Sequence, residues 1–325
     1  MRKNTVNLQS ANAEKHCKIC RKECGKYCEI TKNTEKNKEM KKEETEMKVK
    51  RVWAVFFSPT GSTEKITVEV AVSAAQAAGI SAVDIVNITE PSMRTKDLSF
   101  GEEDLVVFGM PVYAGRVPNK IMPFIRDRVK GKGAACAAVV TYGGRSFDDG
   151  LSELSLLLKE NGFLFCGGGA FVCQHAFASA LAAGRPNDAD ISDGRSFGKQ
   201  LGEKTVESSR KALLEKIPKV PGNCPPGPYY VPKGEDGLPA VFLKAKPVTD
   251  QRLCTGCGFC AERCPMGSIR EEDFFEVTGI CIKCQACIKG CPTGAKHMED
   301  EAFLSHKKML EKTFASSEKK NLIVI

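Results

Sequence analysis

The stretch VWAVFFSPTGST, residues 52–63, carries three signals in succession. Its apolar opening suits a buried strand, Pro59 and Gly61 then break the run, and STEKITVEVAVSAAQAAG (residues 62–79) sets Ile66, Val70 and Ala74 on one helical face. A strand that turns through hydroxyls and glycine into a helix N-terminus makes an anion site. Ser58, Thr60, Ser62 and Thr63 offer O–H donors, Gly61 lets the backbone close in, and the helix dipole favours a phosphate dianion. Read alone, the same hydroxyls also fit simple helix capping.

Working outward, four more apolar runs follow: SAVDIVNI (81–88), DLVVFGMPVY (104–113), AACAAVVTYG (134–143) and FLFCGGGAFV (163–172). Between and after them lie helical patterns in NKIMPFIRDRV, SFDDGLSELSLLLKENG and ISDGRSFGKQLGEKTVESSRKALLEK. Strands apolar on both faces that alternate with helices call for a parallel sheet covered on both sides. The expectation is an α/β, doubly wound, five-stranded domain over residues 51–215. Cys136, Cys166 and Cys173 fall in or beside its strands as small buried hydrophobes. The glycine run in CGGGAF follows the start of a strand instead of opening a helix, so it supplies no dinucleotide fingerprint.

With 325 residues, 42% of them hydrophobic, the chain has room for two cores. The net charge of +8 sits at the front: residues 1–50 hold 14 Lys+Arg against 8 Asp+Glu, which disfavours a basic nucleic-acid-binding body. This opening segment has little apolar surface to offset its ordering entropy and is expected to be mobile. Within it, His16, Cys17, Cys20, Cys24 and Cys28 leave metal binding and a thiol-bearing tail equally open. No apolar signal-peptide core is visible, so the sixteen cysteines are expected to be reduced in a cytoplasmic protein. Residues 161–184 lack acidic and basic side chains apart from His175, yet their central glycines argue for a strand and loop rather than a membrane span.

Residues 218–239 contain seven prolines and four glycines, which marks a stiff linker at 216–240. Residues 241–300 then spell C-x2-C-x2-C-x3-C-P twice, at Cys254, Cys257, Cys260, Cys264 and at Cys281, Cys284, Cys287, Cys291. Three closely spaced thiolates on a tight loop can take three corners of a cubane iron–sulfur cluster, while the fourth lies too far round to close the same one. Zinc knuckles also use cysteine quartets, but a zinc ribbon has no use for the third cysteine of the triplet or the CP ending. A charged helix and tail are expected over 301–325.

The cysteine repeat resembles the bacterial-type 2x(4Fe-4S) ferredoxin domain. The resemblance implies one cluster on Cys254, Cys257, Cys260 and Cys291 and a second on Cys281, Cys284, Cys287 and Cys264. The SPTGST turn is similar to the T/S-x-T-G-x-T phosphate loop of flavodoxins, which implies strand order 2-1-3-4-5 and FMN at the carboxyl edge of the sheet. In that family two further loops sandwich the flavin. Here they are PVYAGRVP (Pro111, Val112, Tyr113, Ala114, Gly115, Arg116) and TYGGRSFDD (Thr141, Tyr142, Gly143, Gly144, Arg145, Asp148). Tyr113 and Tyr142 are the expected stacking rings. Arg116 and Arg145 are expected either to tune the flavin or hold an anionic substrate, or else to pair with Asp148 and Asp149.

Together the two parts resemble the flavodoxin-ferredoxin fusions of anaerobic bacteria and archaea, the EFR-type ferredoxins. That implies an electron carrier between one-electron clusters and FMN, working with redox partner proteins. The alternative is a flavin- and ferredoxin-dependent reductase of a small-molecule acceptor, with Tyr113, Arg116, Arg145 or His175 lining its pocket. The oligomeric state is not legible.

Overall fold

In a computed structural model, residues 48–325 are described. The expectations for the N-terminal extension and for Cys17, Cys20, Cys24 and Cys28 lie outside the described residues. Strand β1 (Arg51–Phe56) leads into helix α1 (Ser62–Ala77), followed by β2 (Val83–Asn87), a short β3 (Leu98–Ser99) and β4 (Asp104–Pro111). Helix α2 (Met122–Arg128), β5 (Val129–Lys130), β6 (Ala135–Tyr142), α3 (Gly150–Glu160) and β7 (Leu164–Val172) come next, then α4 (Asp188–Glu207) and α5 (Arg210–Glu215). The five long strands are parallel, in the order β2-β1-β4-β6-β7, which in chain sequence is 2-1-3-4-5.

Both faces of this sheet are apolar because both are covered. Val52, Ala54, Phe56, Leu105 and Val107 face α1 and α4, while Val55, Val106, Phe108 and Val140 face the other way, toward α2 and α3. Each fully buried phenylalanine or valine contributes about 1.5–3 kcal/mol relative to exposure. Helices α1 and α4 meet backbone to backbone. A Cβ on Gly198 would stand 2.2 Å from the Val70 carbonyl oxygen, and one on Gly202 2.4 Å from that of Ala74.

Downstream, the cysteine repeat builds a small two-stranded sheet of β8 (Val248–Thr249) and β9 (Lys296–His297), with short helices α6 (Phe259–Glu262) and α7 (Ala286–Lys289). Helix α8 (Glu301–Phe314) packs Phe303 and Leu310 against Phe177, Ala178 and Leu181 in the loop that follows β7. Residues 161–184 therefore form β7 and its loop, and among the described residues no helix is long and apolar enough to cross a membrane.

The expected tail past residue 314 is more than a tail. Residues Leu322–Val324 form β10, which pairs antiparallel with β7 opposite Gly168, Gly169 and Ala170 and makes the sheet six-stranded. The glycine run explains the docking, since a Cβ on Gly167 would come to 3.0 Å from both Ile325 and the Val324 carbonyl. Asn321 fixes the register: its Oδ1 accepts from the Val172 amide at 2.9 Å, and its Nδ2 donates to Asp190 at 2.7 Å. The tight helix crossing yields a first prediction. Gly198→Val should lower stability by about 1–3 kcal/mol through overpacking, read as a reduced midpoint of chemical unfolding by circular dichroism.

Candidate cofactor sites

The turn between β1 and α1 places the hydroxyl-rich residues at the carboxyl edge of the sheet. Gly61 takes the left-handed conformation at φ 87°, which opens the first turn of α1. Ser58 is spent on the turn itself: its amide donates to Thr89 Oγ1 at 2.7 Å and its Oγ accepts from the Glu64 amide at 2.9 Å. Thr63 and Thr141 share a buried hydroxyl contact of 2.7 Å, which ties this turn to the end of β6. Among the described residues, the amides of Thr60, Ser62 and Thr63 and the hydroxyls of Thr60 and Ser62 have no protein partner. That leaves a set of N–H and O–H donors at the positive end of a sixteen-residue helix, which fits a phosphate group.

The next two loops border the same edge. The Val112 amide donates to the Thr141 carbonyl at 2.8 Å, and Tyr113 and Arg116 exchange backbone hydrogen bonds around a turn with Ala114 at φ 50° and Gly115 at φ 79°. Glycine at 115 is required twice, by that angle and because a Cβ would lie 2.4 Å from the Asp148 carboxylate. Gly143 and Gly144 make room for neighbours in the loop after β7: a Cβ on Gly143 would be 2.4 Å from the His175 ring and one on Gly144 3.3 Å from Ala182. His175 Nδ1 accepts from the Phe177 and Ala178 amides, and burial pulls its pKa down to about 4, helped by the charges of His306, Lys289 and Arg145. It is therefore a neutral imidazole carrying its proton on Nε2 at neutral pH.

Two expectations for these loops need correction. Tyr142 does not stand free to stack: its ring lies in the core edge-on to Phe147, and its hydroxyl donates to the Lys320 carbonyl at 3.1 Å. Arg116 pairs with neither Asp148 nor Asp149. Its guanidinium forks onto Glu153, with the two side chains only 12% and 5% exposed, and also donates to the Gly227 carbonyl beneath the Tyr229 ring. Arg145 pairs with Asp148, the second of its expected roles, and its guanidinium lies 4.0 Å from the centre of the Tyr230 ring.

What sequence reasoning missed is the strap. The linker was expected to act as a spacer, yet it runs across these loops. Asp149 accepts from the Asn223 and Gly227 amides at 2.8 and 2.7 Å, and the Tyr230 amide donates to the Ala114 carbonyl at 2.8 Å. The paired tyrosines in CPPGPYYVP, set among prolines, were the available signal. Burial works against the Asp149 carboxylate, but the hydrogen bonds from Asn223 and Gly227 and the Arg116 charge hold its pKa below the usual value.

In the cysteine-rich segment the eight ligand candidates sort themselves by space. Cys254, Cys257, Cys260 and Cys291 line one cavity, and Cys264, Cys281, Cys284 and Cys287 line another. Their volumes are about 320 and 380 Å³ with the mouths included. Among the described residues no three Cys, His, Asp or Glu side chains converge to hold a single ion. Four thiols lining each cavity are the donor set that a 4Fe-4S core takes. Burial pushes the Cys284 and Cys287 thiols up to about 12, so a strong Lewis acid is needed to hold them as thiolates. Lys296, buried at the first cavity, donates to Thr249 Oγ1 and to the Phe274 and Phe275 carbonyls, a role no spacing rule reveals. Elsewhere, burial lifts the free Cys166 and Cys173 thiols to about 11 and about 12, consistent with small core side chains.

Residues 247–270 match the family model described as a 4Fe-4S binding domain, a span that holds the first cysteine motif. No curated protein matches the chain. Among solved structures it is similar to a flavodoxin from the domain Archaea, at 13% identity over 48% of this chain and 98% of that one, with a TM-score of 0.35. A Streptococcus pneumoniae TIGR4 flavodoxin is 22% identical over 47% and 98%, TM-score 0.34, and Megasphaera elsdenii flavodoxin 18% identical over 48% and 99%, TM-score 0.28. The fold assignment rests on the parallel sheet and its order, not on these likenesses. The chain joins a flavodoxin-like doubly wound unit to a C-terminal 4Fe-4S binding region.

The strap generates two predictions. Arg116→Ala strands the buried Glu153 carboxylate and should cost about 3–5 kcal/mol in thermal unfolding, whereas replacing both partners by Met and Leu should cost much less. The depressed Asp149 pKa contributes stability that is fully present above the unfolded value of about 3.9 and is lost as pH falls through the folded value. Proteolysis of the linker should therefore accelerate as the pH drops below about 4, and Asp149→Ala should make it fast already at neutral pH.

Proposed function

We propose that this chain is an electron-transfer protein that passes electrons between two 4Fe-4S clusters and FMN, coupling one-electron to two-electron carriers. The observation that carries the reading is the division of eight cysteines between two cavities, in the same polypeptide as a sheet edge whose amide and hydroxyl donors at a helix N-terminus are unpartnered. Clusters exchange single electrons and a flavin accepts one or two, so the pair supplies a junction between the two kinds of traffic.

The roles of the chain's own groups follow. Cys254, Cys257, Cys260 and Cys291 would hold one cluster and Cys264, Cys281, Cys284 and Cys287 the other, each thiol losing its proton on coordination. Thr60, Ser62 and the first amides of α1 would take the phosphate of FMN. The turns at Ala114–Gly115 and Gly143–Gly144 would bring backbone to the ring, and the strap crosses these loops with Tyr229 and Tyr230 against the Arg116 and Arg145 guanidinium groups. Redox proteins are the partners this reading requires. The small-molecule reductase reading loses support, because Arg116 and Arg145, the candidate anion holders, are both engaged by carboxylates.

Anaerobic isolation of the full chain should give about eight iron atoms, matching sulfide and about one FMN per chain; a colourless protein carrying zinc and no flavin would refute the proposal. Thr60→Ala combined with Ser62→Ala should weaken FMN retention by about 1.5–3 kcal/mol per lost bond while leaving riboflavin affinity unchanged, as read by equilibrium titration.

A further inference from the structure

The two cysteine motifs are internal repeats, and one position breaks their likeness. The fifth residue after Cys264, which closes the first motif, is Ile269, and its counterpart after Cys291 is Lys296. Each lines the cavity that its own motif's last cysteine lines. Ile269 shares a wall with Cys264, Cys281, Cys284 and Cys287, and Lys296 shares one with Cys254, Cys257, Cys260 and Cys291. Both are buried, Lys296 to 2% exposure. An isoleucine there is ordinary core. A lysine is not, because a buried ammonium gives up its hydration and needs a compensating charge.

The hydrogen bonding of Lys296 is complete, but its charge is not compensated. An ammonium has three N–H donors, and this one has three acceptors: Thr249 Oγ1, the Phe274 carbonyl at 2.7 Å and the Phe275 carbonyl at 3.1 Å. All three are neutral oxygens. Among the described residues no carboxylate forms an ion pair with Lys296. Asp250 and Glu299, next to the same two-stranded sheet, pair with Arg252 and His297, and Asp273 accepts from the Phe275 amide. Within the cavity wall the only groups able to become anions are the four cysteines. The other cavity also has a cation in its wall, Lys283, but that side chain is only half-buried and reaches the Leu243 and Cys281 carbonyls, so solvent screens it.

We propose that Lys296 is the built-in counter-charge of the Cys254 quartet, a potential-setting residue that holds the centre bound there toward its reduced form. This rests on the reading of the preceding subsection, since it presumes that the quartet carries a 4Fe-4S core. Four thiolates outweigh the positive core, so a loaded site is anionic and supplies the charge that the protein withholds. One electron from a one-electron donor makes the site more anionic, with no covalent bond formed or broken. Attraction to a fixed cation in a low-dielectric wall grows in step. Ile269 gives the Cys264 quartet no such bias. The two repeats therefore agree in ligands and differ in charge.

The test is an EPR-monitored redox titration of the full chain with its cofactors, iron and flavin being counted in every sample. Lys296→Met, which brings in the apolar character of Ile269 at similar length, should lower the midpoint potential of the Cys254-quartet centre. At a fixed ambient potential its reduced fraction should fall severalfold, with a smaller shift at the other centre. The signal altered in Cys257→Ser marks the Cys254 centre. Lys296→Arg keeps the charge and should stay close to wild type. Thr249→Val removes one acceptor but leaves the cation, so both midpoints should hold, whereas a lysine acting only as a hydrogen-bonded clamp would respond. Full iron content with an unmoved midpoint in Lys296→Met would overturn the inference, as would a shift confined to the Cys264 quartet or one that Thr249→Val reproduces. Should Lys296→Met lose iron, full loading of Lys296→Arg supports the charge role, and equal loss in Lys296→Arg and Thr249→Val overturns it. A wild type that carries zinc in place of iron would sink the preceding reading and this one together.

Discussion

Two carboxylates one turn apart at the start of α3, Asp149 at its N-cap and Glu153 in its first turn, are buried and must be compensated. An unpaired charge in such a place costs several kcal/mol, so the fold has to deliver donors to both. Glu153 takes the Arg116 guanidinium and the Val117 amide, and Asp149 takes amides from Asn223 and Gly227. Those donors come from the loop after β4 and from the linker. Satisfying the two charges therefore draws the linker over the loops after β4 and β6 and sets the path by which the chain enters its cysteine-rich part. The positions of Tyr229 and Tyr230 are consequences of the same demand.

Much of this architecture was legible in the residues. Five apolar runs alternating with helical patterns announce the sheet, because a strand buried on both faces has no room for polar alternation. The cysteine spacing announces the cavities, because short loops leave little freedom in where their thiols point. Tyr142 and Arg116 were harder. Each sits in a loop whose neighbours come from far along the chain, the Lys320 carbonyl for one and Glu153 for the other, and no local pattern encodes those partners. Strand β10 was lost for a related reason: three apolar residues cannot announce a strand until their partner, the glycine run of β7, is known.

That glycine run acts by the side chains it lacks. The missing side chains at Gly167 and Gly169 leave room for the C-terminal strand and the Phe171 and Phe197 rings, and the one at Gly168 leaves room for Val220 and Leu151. Gly198 and Gly202 work in the same way on α4, where the missing side chains let α1 approach.

The pairing of β10 with β7 changes what the cysteine-rich part is in topological terms. It is an insertion within the sheet unit and not an appendage to it, because the strand that closes the sheet's edge follows it in the chain. During synthesis the ribosome must deliver the whole metal-binding segment before that edge can be sealed, and until then β7 offers an open row of backbone donors and acceptors to any passing strand. Maturation of the one part and completion of the other are thereby joined in time as well as in space.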